Sequence, residues 1–179
     1  MNRLLLLALL GLFVIGCQSE ADIKSQNPKL IAFIDEFKEN HPTWNNNQIT
    51  RDSINLLFES KIDEELRNNI ISDYPIKLKG IKHLSKTDVY IGHFDGHHAV
   101  ANPYIDILIP LPKSVVDTIK ENRKYSVRVT KAERLKLLEA IGFLTDDMIY
   151  STDVELTNSA AELGVVYMEM DSISMWFSR

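Results

Sequence analysis

One cysteine among 179 residues excludes an internal disulfide. It also excludes a structural zinc site built on thiolates, which takes about two to four of them. Glycine is scarce at seven residues, and neither GxGxxG nor GxxxxGK occurs, so no phosphate-cradling loop is encoded. GxSxG, SxxK and HExxH are absent too, which leaves nucleophilic and zinc-hydrolase chemistry without a motif. Carboxylate pairs are no substitute, because among 25 acidic residues such pairs arise by chance. No uncharged apolar run approaches the roughly 20 residues of a membrane-spanning helix. What remains is ordinary globular material: 45% apolar and 25% charged residues, with a formal net charge of −5. That content supports a packed core and argues against wholesale disorder. The length suits one domain.

The longest apolar run opens the chain, MNRLLLLALLGLFVIGC. Arg3 gives it a positive start, and Leu4 to Ile15 has the length of a secretory h-region, about 7–15 residues. The run closes in Val14-Ile15-Gly16-Cys17, which places the one cysteine directly after a small residue. This ending resembles the lipobox of bacterial lipoprotein precursors, with Val14 where leucine is commoner. The resemblance implies removal of residues 1–16 as a signal peptide and attachment of acyl chains, palmitate among them, at Cys17. One acyl chain binds a bilayer only marginally, at ~0.8 kcal/mol per buried CH₂, whereas two or more anchor stably. Residues 17–27 are polar and without hydrophobic period, the composition of a flexible lipidated tether. Gln18 follows the cysteine, where an aspartate marks inner-membrane retention in some Gram-negative groups. The expected location is therefore the bacterial cell envelope, anchored in the outer membrane.

Residues 28–179 read as a single globular domain, helical over 28–73 and β-rich over 74–179. Asn27-Pro28 is a helix-start signal, and Leu30, Ile31, Ile34 and Phe37 predict an amphipathic helix over 28–40. After the break at His41 to Asn47, Ile54, Leu57, Phe58, Ile62, Leu66 and Ile70 predict a second helix from Thr50 to about residue 72. Asp35-Glu36 and Asp63-Glu64-Glu65 fall on polar helix faces as solvated groups. From Pro75 the period changes to two, predicting strands at Ile76–Gly80, Val89–Phe94, Tyr104–Ile109 and Tyr125–Val129. Ser114 to Asp117 has a capping-box pattern and predicts a short helix ending near Asn122. Thr130 to Glu133 has the same pattern and predicts a helix to Gly142, with Leu135, Leu138 and Ile141 on its inner face. Residues 144–163 read as irregular. A last strand covers Val165–Met170 and Ile173–Phe177, with a bulge at Asp171-Ser172.

The fold class is α+β, with N-terminal helices followed by a small, mainly antiparallel β-barrel or sheet. The order of elements over 75–177 resembles an OB-fold barrel, with the short helix between strands three and four. The resemblance is one of order alone, and no residue motif accompanies it. It implies that strands one and four are neighbours, which would gather Lys77, Lys79 and Arg128 into one basic stripe.

Two constellations bear on function. Residues 74–136 hold 12 basic and 6 acidic residues, while the flanking segments are acidic. A basic stripe there would attract phosphates or acidic glycans. Nucleic acid is a poor partner: the pI is about 5.5, and aromatic residues do not interleave with the lysines. The second constellation is His93-Phe-Asp-Gly-His-His98, which holds three of the five histidines. A tight turn at Asp95-Gly96 would bring His93, Asp95, His97 and His98 together as zinc or copper ligands, or leave them as a hairpin loop. Trp44 and Trp176 read as packing residues, with sugar stacking as their functional alternative. The expectation is a lipid-anchored, non-enzymatic envelope module without a cofactor, binding a protein or an anionic component. A periplasmic metal-binding lipoprotein using the histidine cluster is the alternative.

Overall fold

The computed structural model describes residues 28–85, 87–96, 103–136 and 152–176. The expected signal peptide, the tether and Cys17 lie outside the described residues, as do His97, His98 and residues 137–142 of the helix expected to end at Gly142.

Helix α1 spans Pro28–Asn40 and α2 spans Gln48–Arg67. Leu30, Ile34 and Phe37 meet Phe58, Ile62 and Leu66 in one core, because residues three and four apart share a helix face. The Phe37 and Phe58 rings lie 5.0 Å apart between centroids. Asn47 caps α2, its Oδ1 accepting from the Thr50 amide at 2.9 Å. The hydrophobic period runs on to Ile70, yet the helix stops at Arg67. Asn69 takes a left-handed φ of 59°. The Ile70 amide then reaches back to the Glu65 carbonyl, a glycine-free version of the usual helix stop. Among the described residues, no helix is long and apolar enough to cross a membrane.

The strands are β1 (Ile76–Leu84), β2 (Val89–Asp95), β3 (Tyr104–Leu111), β4 (Lys124–Arg134), β5 (Glu155–Leu156) and β6 (Ala161–Met175). A short α3 (Lys113–Val116) separates β3 from β4. The sheet order is β3-β2-β1-β4-β6-β5, and β3 also pairs with β6, so the sheet loops round on itself. The β3–β6 pairing is parallel and the others are antiparallel. This is the expected α+β class. The inner face buries Ile76, Leu78, Phe94, Ile107, Val127 and Val166 with the helix side chains.

The short helix expected at Ser114 is present with different bounds, whereas the helix expected from Thr130 is corrected. Thr130 to Glu133 does not begin a helix but continues β4, which pairs with β6 as far as Arg134 opposite Val166. Val127, Val129 and Ala132 are buried there, and a long ladder over a buried face outweighs a local capping pattern. Helix α3 begins at Lys113 behind Pro112, without a side-chain cap bond, and covers only four residues. The segment expected to be irregular contains β5 and the start of β6.

Two irregularities keep the 15-residue β6 on the core. Gly164 has φ +68°, and the break there lets Ala161 and Leu163 face inward before it and Val166 and Met168 after it. Further on, Arg128 faces Ser172 and Val129 faces Met170, leaving Asp171 unpaired within the predicted bulge. An alanine Cβ at position 164 would lie 2.9 Å from the Thr152 carbonyl oxygen. Gly164→Ala is therefore expected to cost about 1–3 kcal/mol in urea unfolding. Gly80→Ala is the control: a Cβ there meets nothing within 4 Å, and its midpoint should stay close to wild type. Equal midpoints for the two variants would refute the account of Gly164.

Candidate functional site

The register across the sheet places charged residues in one outward row. Lys77 lies opposite Asp95 on one side and opposite Lys124 on the other, and Asp95 lies opposite Asp106. Their chain neighbours Ile76, Leu78, Phe94, Ile105 and Tyr125 are buried, so strand alternation turns the charged side chains outward. The Trp176 amide donates to the Lys124 carbonyl at 3.0 Å, which extends the row to the end of β6. Read across β3, β2, β1, β4 and β6, the row is Asp106, Asp95, Lys77, Lys124, Trp176. Its sign changes once, between β2 and β1.

The register of β1 decides which lysine is neutralised. Leu78 faces Phe94 and Gly80 faces His93, so Lys79 is an extra, bulged residue. The bulge carries its ammonium to Asp95, at 3.4 Å. Lys77 and Lys124 are left side by side, and neither makes an ion pair among the described residues. Like charges directly opposite one another on neighbouring strands are unfavourable. The 117–124 loop that delivers Lys124 is fixed at both ends of a short circuit. Tyr125 Oη accepts from the Lys120 amide at 2.7 Å, the Leu78 amide donates to the Arg123 carbonyl at 3.1 Å, and the Asn122 amide donates to the Leu78 carbonyl at 2.8 Å.

Of the predicted stripe, the structure brings Lys77 next to β4 but meets Lys124 there. Arg128 shares the outward face four residues along, roughly 13 Å away at 3.3 Å per residue. Lys79 turns toward β2. Lys124 was legible only as one of many basic residues, because pairing register is not encoded in charge pattern.

The histidine cluster divides. His93 Nε2 pairs with Asp106 Oδ1 at 2.8 Å, while Asp95 takes Lys79. A hollow of about 290 Å³ beside them is lined by Lys79, Asp95, Tyr104, Ile105, Asp106, Glu162 and Gly164. Among the described residues, no three histidine or acidic side chains converge as a metal-ligand set. Tyr74 closes the core below, its hydroxyl donating to the Gly96 carbonyl at 2.9 Å. Burial, aided by Asp95, pushes that hydroxyl pKa far up, so it stays a neutral donor.

Asp63, expected to be solvated, is instead tied across the fold. Arg134 Nε donates to Asp63 Oδ1 at 2.5 Å, and Nη2 donates to Glu59 Oε1 at 2.6 Å and Asp63 Oδ2 at 3.2 Å. Burial pulls the guanidinium pKa down, but its bonds to Asp63 and Glu59 outweigh this and leave it raised. No signal in the sequence pairs residues 71 and 75 positions apart.

The chain matches no protein-family model, no curated protein and no solved structure at significant similarity.

Proposed function

We propose that this chain is a lipid-anchored, non-enzymatic binding module of the bacterial cell envelope, whose β-rich part is an OB-like barrel. Support for the barrel comes from the ring of pairings β1–β2–β3–β6–β4–β1, with β3 and β6 parallel and the short α3 between β3 and β4. Support for the anchor comes from the lipobox pattern ending at Cys17, which places a multiply acylated cysteine at the head of the eleven-residue polar tether, residues 17–27. The outer membrane is the favoured location.

The observation that carries the binding role is the unpaired juxtaposition of Lys77 and Lys124 beside Trp176. Two ammonium groups held together at a cost to the sheet are relieved by an oxyanion, and the neighbouring indole adds apolar area for the rest of an anionic ligand. The ligand is an anionic envelope component, or the acidic surface of a protein, and not a nucleic acid. Arg128 marks the far end of the same face.

The test is capture from solubilised envelope extract at low and high salt, comparing the wild type with Lys77→Gln/Lys124→Gln. Each replacement should change fold stability by no more than about 0.5 kcal/mol. Capture of anionic material should weaken about tenfold or more, a loss near 1.4 kcal/mol. Wild-type capture should fade as salt shortens the ~10 Å Debye length of 0.1 M solution. Equal capture by both proteins at every salt concentration removes the basic row as a site.

A further inference from the structure

The loop between α1 and α2 meets the turn between β5 and β6 over a second cavity, of about 260 Å³. Trp44, Asn45, Arg51, Glu155, Thr157 and Asn158 contribute to its lining. Its walls are fastened to one another across long stretches of chain. Lys38 Nζ donates to the Thr157 carbonyl at 2.6 Å, Asn45 Nδ2 donates to Asn158 Oδ1 at 3.2 Å, and the Leu156 amide donates to Asn55 Oδ1 at 3.1 Å. Such a cavity is pre-formed, which spares a ligand the entropy of ordering it.

Arg51 is the feature that packing does not explain. A guanidinium carries five N–H donors, and that of Arg51 makes one hydrogen bond, from Nη2 to Asn45 Oδ1. Its Nε is buried without a partner and closed to solvent, so only the Nη groups are on offer to a ligand. An oxygen-rich ligand in the cavity supplies acceptors to the Nη N–H groups that Asn45 does not take. Around it stand two planar amides, a carboxylate and a hydroxyl, which together offer both donors and acceptors. Trp44, half-buried against the core, offers apolar surface, and the Lys38 ammonium holds the ring from 5.7 Å.

Hydroxyl groups both donate and accept, so a polyol uses this mixed lining fully, while its C–H surface packs against the indole. Arg51 and Glu155 oppose each other in charge, which selects neither a strong anion nor a cation. The volume lies just below the roughly 300 Å³ at which small-molecule pockets begin, so the occupant is small. We infer that the Trp44–Arg51–Asn158 cavity binds a single unit of a neutral saccharide. It shares no residue with the Lys77–Lys124 row and does not depend on the role proposed for that row.

Trp176→Phe leaves Trp44 as the only tryptophan of the chain's two, and its fluorescence reports the cavity. In that background the protein is titrated with N-acetylglucosamine and with glucose, and with glycerol and inorganic phosphate as controls. The expected result is a saturable change in emission with at least one sugar, at millimolar concentration, and none with either control. Asn158→Ala and Arg51→Gln should each weaken the response about fivefold, the loss of one ordinary hydrogen bond. Asn158→Ala also gives up the exposed bond from Asn45 and should lower the melting temperature by no more than about 2–4 °C. Lys77→Gln/Lys124→Gln should leave the response intact. The inference is overturned by the absence of saturation with both sugars, by an equal response to glycerol, by tighter binding of phosphate, or by a sugar response unchanged in both cavity variants.

Discussion

Replacing Arg134 by methionine should lower the unfolding free energy by about 2–3 kcal/mol, read from urea midpoints at constant slope. The Arg134 side chain is only 12% exposed, against 41% for Glu59 and 32% for Asp63. Breaking a fully buried ion pair costs about 3–5 kcal/mol, and the partly solvated carboxylates reduce that figure. Methionine keeps the stem but leaves Glu59 and Asp63, one helical turn apart on α2, facing each other as like charges. For a chain of this size the loss corresponds to a drop in Tm of about 4–12 °C. Arg134→Lys should recover only part of it, because an ammonium cannot reproduce the two-pronged bond to Asp63. Adding Glu59→Gln and Asp63→Asn to Arg134→Met should restore much of the stability, since the stranded charges disappear. A change within about 0.5 kcal/mol for Arg134→Met would show that the network adds nothing beyond solvated surface charge.

Cys17→Ser should shift the protein from the membrane fraction to an unprocessed or soluble form. Serine cannot form the thioether on which lipid attachment depends. The expected effect is close to all-or-none: a single myristoyl-sized chain gives a binding constant of about 10⁴ M⁻¹, and a second chain multiplies it. Fractionation and intact-mass analysis of the native protein read the two halves of the claim separately. A native mass without an acyl adduct at Cys17, or a serine variant that fractionates with the membrane as the wild type does, refutes lipidation as the anchor.

Much of the fold was legible locally. The first helix, Pro28–Asn40, follows from a proline start and a 3.6-residue period, and β1 to β3 follow from the change of period at Pro75. The bulge at Asp171 was visible as two polar residues interrupting an apolar strand. The pattern at Ser114 marked a short helix that starts one residue earlier, at Lys113, whereas the pattern at Thr130 misled because a capping box is a local preference of about 1 kcal/mol. Val127, Val129 and Ala132 gain more by lying on a buried sheet face than a helix start would give them. The left-handed stop at Asn69 was equally hidden, since asparagine signals such a conformation far less reliably than glycine.

The candidate site was legible in kind and not in arrangement. An excess of lysine and arginine over residues 74–136 is a property of composition, and strand alternation by itself turned Lys77 outward. Which cation meets which partner depends on register. One extra residue at Lys79 gives Asp95 to that lysine and leaves Lys77 facing Lys124. Trp176 joins the row only because β6 pairs with β4 to its end. Arg134, Glu59 and Asp63 meet because α2 packs across β4. Sequence alone determined the period of the two long helices and of β1 to β3, and with it the side chains they bury, because these depend on neighbours within a few residues. Tertiary structure alone decided the ring of strand pairings, the unpaired lysines, the Arg134 network and the Trp44 cavity. Each of these joins residues dozens of positions apart, and their meeting is set by burial of the shared core.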